Sequence, residues 1–187
     1  MRKLKLQMQA SVDGYVTGPD NEMDWMVWNW DDELNAYVGD LTRSFDTILL
    51  GRKLAEGFVP VWTARLQKNP DDEGSRKMVH TPKIVFSRTL DASTWPHTTL
   101  AGKGDLKQVV TDLKAQPGAD IIAYGGVDFA ASLIEAGLID EFFLFINPVS
   151  LGKGRSLFKD SGRINFRLTE ARSFPCGVAV LRYELVR

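Results

Sequence analysis

The chain has 187 residues, 44% hydrophobic and 25% charged, the proportions of a single folded domain spanning 1–187 with a sizeable core. Lys and Arg number 23 against 24 Asp and Glu, a formal charge of −1 without a dense basic run, which argues against nucleic acid as a main partner. No apolar stretch reaches the roughly 20 residues of a membrane-spanning helix, and one cysteine, Cys176, fits a reducing cytoplasm.

Leu4, Leu6, Met8 and Ala10 alternate with polar residues, which predicts a strand with one better-buried face. The alternating start, MRKLKLQMQASVDG, lacks the continuous apolar core of a signal peptide. Ser11-Val12-Asp13-Gly14 reads as a turn, and Tyr15-Val16 leads into Gly18-Pro19-Asp20-Asn21. Met23–Trp30 (MDWMVWNW) holds three of the five tryptophans, either as a lid on the core or with an indole such as Trp25 or Trp28 walling a pocket for a flat ring. Asp31 or Asp32 caps a helix whose inner face is Leu34, Tyr37, Val38 and Leu41. The β-rich run Thr47–Leu50 ends in Gly51-Arg52-Lys53, a strand–glycine–helix corner carrying two cations.

Thr63–Thr81 is polar, contains Pro70-Asp71-Asp72-Glu73-Gly74, and reads as an exposed, mobile excursion. Lys83–Phe86 is a third buried run, followed by Ser87-Arg88, a hydroxyl and a guanidinium suited to a ribose 2′-phosphate. Trp95–Gly104 is irregular, with a short strand at Thr98–Ala101. Asp105 then caps a helix with Leu106, Val109, Val110 and Leu113 inside, which Pro117-Gly118 stops. His80 and His97 lie far apart in the chain and, with Cys176, give no metal-ligand spacing.

Asp120–Leu138 joins an apolar run (Ile121–Tyr124), Gly125-Gly126 and a helical spacing at Phe129, Leu133, Ile134 and Leu138. Such a corner is either an ordinary tight turn or a phosphate cradle, since glycine admits an anion close to the main chain and a helix's first N–H groups point at it. Asp128 is the expected N-cap, and its carboxylate competes with a phosphate for those donors. Glu141–Asn147 (EFFLFIN) reads as a central strand, Leu151–Arg155 as a glycine-rich basic loop, and Ile164–Ser173 with Val178–Val186 as a hairpin at the sheet edge. A second subunit covering that edge would make a homodimer.

This order predicts a three-layer α/β domain with a mostly parallel sheet and an antiparallel C-terminal hairpin. Gly51-Arg52, Ser87-Arg88 and Gly125-Gly126 then fall on one rim, where ligands of parallel sheets bind. A phosphorylated nucleotide fits all three corners better than three separate tight turns do.

SVDGYVTGP, DTILLGRKL, KIVFSRTL and IIAYGGVDFAASLIEAGLIDEFFLFINPVSLGKGRSLF together resemble the dihydrofolate reductase-like superfamily. The closer likeness is to the C-terminal reductase domain of bacterial riboflavin biosynthesis proteins and its small stand-alone relatives. The resemblance implies NADPH as hydride donor, a dimer, and reduction of a small heterocyclic or carbonyl substrate, including a 5-amino-6-(5-phosphoribosylamino)uracil-like pyrimidine. It places cofactor contacts at Gly51, Arg52, Lys53, Ser87, Arg88, Gly125, Gly126, Val127 and Asp128, and implies a cis bond between Gly125 and Gly126. Where dihydrofolate reductases carry Pro-Trp this chain has Asp24-Trp25, and no acid matches their proton-steering residue, which counts against folate reduction. Asp13 and Asp24 are the candidate proton donors. A protein that binds NADP(H) without catalysis, as a sensor or scaffold, is the alternative reading.

Overall fold

The computed structural model describes residues 1–101, 104–158 and 162–186. The chain runs β1 (Leu4–Ser11), β2 (Tyr15–Thr17), α1 (Asp32–Arg43), β3 (Phe45–Gly51), α2 (Arg52–Lys68), α3 (Glu73–His80), β4 (Lys83–Phe86), β5 (Thr98–Leu100), α4 (Leu106–Ala115), β6 (Asp120–Tyr124), α5 (Val127–Glu135), β7 (Glu141–Asn147), β8 (Arg155–Ser156), β9 (Phe166–Ser173) and β10 (Ala179–Leu185). Eight strands form one sheet in the order β5-β4-β3-β6-β1-β7-β10-β9, and β2 pairs with β8 in a small ribbon. Every pair from β5 to β7 is parallel, while β10 runs antiparallel to β7 and β9 antiparallel to β10. This is the three-layer α/β architecture expected, with the hairpin at the edge.

Two apolar layers hold the sheet. Leu4, Leu6, Met8 and Ala10 send one face of β1 into a layer shared with Val110 of α4 and Ala130, Leu133 and Ile134 of α5. The opposite layer joins Leu34 and Leu41 of α1 and Ala55 of α2 to Ile48, Leu50, Val85, Phe143 and Phe145 of the sheet. The period-2 alternation of β1 thus decides which residues meet which helices. The remaining residues of that strand, Lys5, Gln7, Gln9 and Ser11, are polar and point the other way.

Asp31, rather than Asp32, caps α1, its Oδ1 accepting from the Leu34 N–H at 2.9 Å and its Oδ2 from the Cys176 N–H at 2.8 Å. Three expectations need correction. Thr63–Thr81 is largely exposed, as expected, but mostly helical rather than a loop: α2 continues to Lys68 through Pro60, and α3 begins at Glu73. The Asp72 carboxylate caps α3 by accepting from the Gly74 N–H at 3.1 Å and from the Ser75 hydroxyl, and Ser75 and Met78 are buried. A polar helix that packs through one serine and one methionine has too thin an apolar stripe to announce itself. Second, Asp128 is not the N-cap of α5. Gly126 is, with no side chain bonded to the first amides. Third, no cis peptide bond occurs among the described residues, so Gly125–Gly126 is trans; Gly126 turns the chain instead with φ +90°, a conformation glycine adopts without a Cβ penalty.

Candidate functional site

The carboxyl ends of β4, β3 and β6 are neighbours. Gly51 is opposite Phe86 in the β3–β4 register, and Leu49 opposite Ala123 in the β3–β6 register, so Gly51-Arg52, Ser87-Arg88 and Gly125-Gly126 share one rim. Phe129, in the first turn of α5, fastens them together. Its ring lies 5.0 Å from that of Phe86, and a Cβ added to Gly51 would stand 2.9 Å from the Phe129 Cβ. Glycine at 51 is therefore required by a close approach, and glycine at 126 by a backbone turn.

The chemistry at each corner differs. At α5, Gly126 leaves the first-turn amides without a side-chain cap. The Asp128 carboxylate pairs sideways with Arg155, whose other guanidinium nitrogen donates to Asn21 Oδ1 at 2.9 Å. At the β3 corner Arg52 pairs with Glu56 one turn along α2 at 2.5 Å, and Lys53 is exposed. At the β4 corner the Ser87 oxygen accepts from the Thr89 and Leu90 N–H groups at 3.2 and 2.9 Å, folding the turn. Arg88 extends from that turn exposed and, among the described residues, in no ion pair.

The residues around the neighbouring end of β1 are more committed. Asp13 accepts from the Ser11 and Ser150 hydroxyls at 2.7 and 2.8 Å and from the Leu151 and Gly152 N–H groups at 3.1 and 2.7 Å. The Ser11 hydroxyl foremost, then the backbone donors, holds its carboxyl well below the usual carboxylate range. Asp24 is exposed beside half-buried Trp25, whose indole N–H donates to Glu22 O at 3.0 Å; Trp28 stays 66% exposed. Trp30 is the member of the trio that stacks on the core, 6.2 Å from Phe145. The loop is fixed from below by Asn147, fully buried, whose Oδ1 accepts from the Val27 N–H at 2.8 Å while its amide donates to Gln9 Oε1 at 2.8 Å.

Among the described residues, the buried Gln7 Oε1 and Tyr124 hydroxyl have no hydrogen-bond partner. The two residues are opposite one another in the β1–β6 register, one position before the glycines. Burial pushes the Tyr124 phenol above its ordinary range, so it stays protonated.

Sequence reasoning located all three rim corners but missed Arg155, Asn21, Asn147 and Phe129. Arg155 sat in a loop that reads as a solvated turn, and its partners lie 134 and 27 positions away in the chain. His80 and His97, far apart in the chain, approach with ring nitrogens 3.3 Å from each other; no group of three or more metal-ligating side chains exists among the described residues.

Comparison with known proteins gives three findings. Residues 2–180 match the family described as the RibD C-terminal domain. YyaP of Bacillus subtilis (strain 168), an uncharacterized protein, is 34% identical over 188 residues, covering 98% of this chain and 95% of that one. Two solved structures share the fold. One is a Thermotoga maritima diaminohydroxyphosphoribosylaminopyrimidine deaminase/5-amino-6-(5-phosphoribosylamino)uracil reductase, at TM-score 0.70 and 16% identity over 99% of this chain and 57% of that one. The other is Enterococcus faecalis dihydrofolate reductase complexed with NADP(H), at TM-score 0.60 and 13% identity over 99% and 97%.

Proposed function

We propose that this chain, which belongs to the RibD C-terminal domain family, is an NADPH-dependent reductase of a small planar heterocyclic or carbonyl substrate, with a 5-amino-6-(5-phosphoribosylamino)uracil-like pyrimidine as the leading candidate. One observation carries the reading: three corners with anion-binding chemistry are adjacent on one rim, locked by Phe129. The uncapped amides of Val127 and Asp128, beside Gly125 and Gly126, would receive the pyrophosphate. Arg88 would fork onto the 2′-phosphate, with the Ser87 hydroxyl hydrogen beside it, and Arg52 and Lys53 would add positive charge between them. NADPH bound there supplies the hydride. Trp25 and Trp28 would wall the substrate, and Gln7 and Tyr124 would meet its polar edge.

The proton comes from elsewhere than Asp13, whose carboxylate is committed to four donors. Asp24, exposed beside Trp25, would be the acid, with ordered water as the other source. That the remaining candidate acid is exposed favours a second reading, NADP(H) binding without turnover. A fluorescence titration with NADPH, followed by stopped-flow oxidation of the bound cofactor against pterins, pyrimidines and small carbonyls, separates them. No response to NADPH at millimolar concentration removes both readings, and binding without substrate-dependent oxidation leaves the second. We further propose a homodimer through exposed β9, in a soluble, cytoplasmic setting.

A further inference from the structure

A carboxylate in the first turn of a helix is normally drawn to the free amides and the positive end of the dipole. At α5 those amides are uncapped, yet Asp128 turns away to Arg155. The arginine is carried on a stiff platform. β8 pairs with β2 with Thr17 opposite Arg155, and a Cβ at Gly154 would stand only 2.3 Å from Thr17 O, so this backbone sits flush against its neighbour. Asp13 pins the preceding stretch at Ser150, Leu151 and Gly152. From this platform one guanidinium nitrogen takes Asp128 and the other takes Asn21, which holds φ +68° in the loop after β2.

We infer that Arg155 is a positioning residue for the cofactor: it withdraws and neutralises the Asp128 carboxylate, so that a phosphate can occupy the α5 amides, and ties the 18–24 loop beside that site. The inference rests on the cofactor reading above. Without Arg155 a bound pyrophosphate faces an uncompensated carboxylate in the first turn of the helix, and like charges at that range repel. Asp128 therefore contributes its backbone amide to binding, while its side chain is a liability that Arg155 cancels.

The test is NADPH affinity, by tryptophan fluorescence and with melting temperatures recorded in parallel, of full-length wild type, R155Q, D128N, the D128N/R155Q double variant and R155K. R155Q should raise Kd by about tenfold, D128N should bind at least as well as wild type, and the double variant should return to within about threefold of wild type, because the two changes are coupled. R155K keeps the charge beside Asp128 and should stay within about threefold, carrying the test with D128N if R155Q fails to fold. A double variant as weak as R155Q, an R155K as weak as R155Q, or an R155Q that binds like wild type each overturns the inference. A wild type that binds no NADPH overturns the cofactor reading instead.

Discussion

On the proposed reading cofactor choice turns on Arg88, which stands exposed at the end of β4 and, among the described residues, in no ion pair. Arg88→Ala should weaken NADPH binding by about 1.5–3 kcal/mol, the range of a charge-assisted hydrogen bond, and leave NADH binding within about twofold. Equal losses for the two cofactors, measured by the same titration, would remove the 2′-phosphate role. Lys83 offers a prediction on stability. It is 2% exposed, its amine donates to Val79 O and Thr81 O at 2.8 Å each, and burial lowers its pKa to about 8. In the unfolded chain a lysine holds its proton to about 10.4, so between those values the unfolded state binds more protons and stability rises with pH. Below pH 8 both states are charged, and the burial penalty is present in full. The stability of wild type relative to Lys83→Met, from urea unfolding at pH 7 and pH 9.5, should shift in favour of wild type at the higher pH; an unchanged difference would refute it. The position of Ser87 and Arg88 at a strand's carboxyl end was legible from a local Ser-Arg pair. The pairing of Asp128 with Arg155 was not, because a local rule assigns Asp128 to its own helix and only a residue 27 positions away overrules it.

Among the elements, the β3–α2 corner and α5 form one packed unit through Gly51 and Phe129. Gly51→Ala places a methyl 2.9 Å from the Phe129 Cβ, which must move the start of α5. It should cost about 1–3 kcal/mol of stability, typical of overpacking, and weaken NADPH binding as well. Gly57, inside α2 with nothing within 4 Å of an added Cβ, is the contrasting case. Gly57→Ala should stabilise by about 0.5–1 kcal/mol through helix propensity alone, read as a higher urea midpoint at unchanged slope. A loss there would mean that α2 is looser than its packing on α3 implies. Strong periodicity made β1, α1, β6, α5 and β7 readable, while α3 escaped because its buried contacts are a serine and a methionine set in a charged octapeptide.

For the whole molecule, one sheet sandwiched by two apolar layers should unfold in a single cooperative transition, with fluorescence and circular dichroism coinciding. NADPH at about 100 times its Kd should raise the unfolding free energy by about 2.7 kcal/mol, and a shift absent at saturating ligand would deny a site on the native state. By itself the sequence determined the class of fold, the order of its layers and the three glycine or serine corners, because hydrophobic period, capping and turn chemistry act over a few neighbouring residues. Only the tertiary structure decided that Phe129 packs those corners together, that Asp13 fastens a loop, that Asn147 holds the tryptophan segment and that Arg155 pairs with Asp128. Each of those contacts joins residues whose side-chain chemistry was plain but whose meeting depends on strand order and register, which no local pattern encodes.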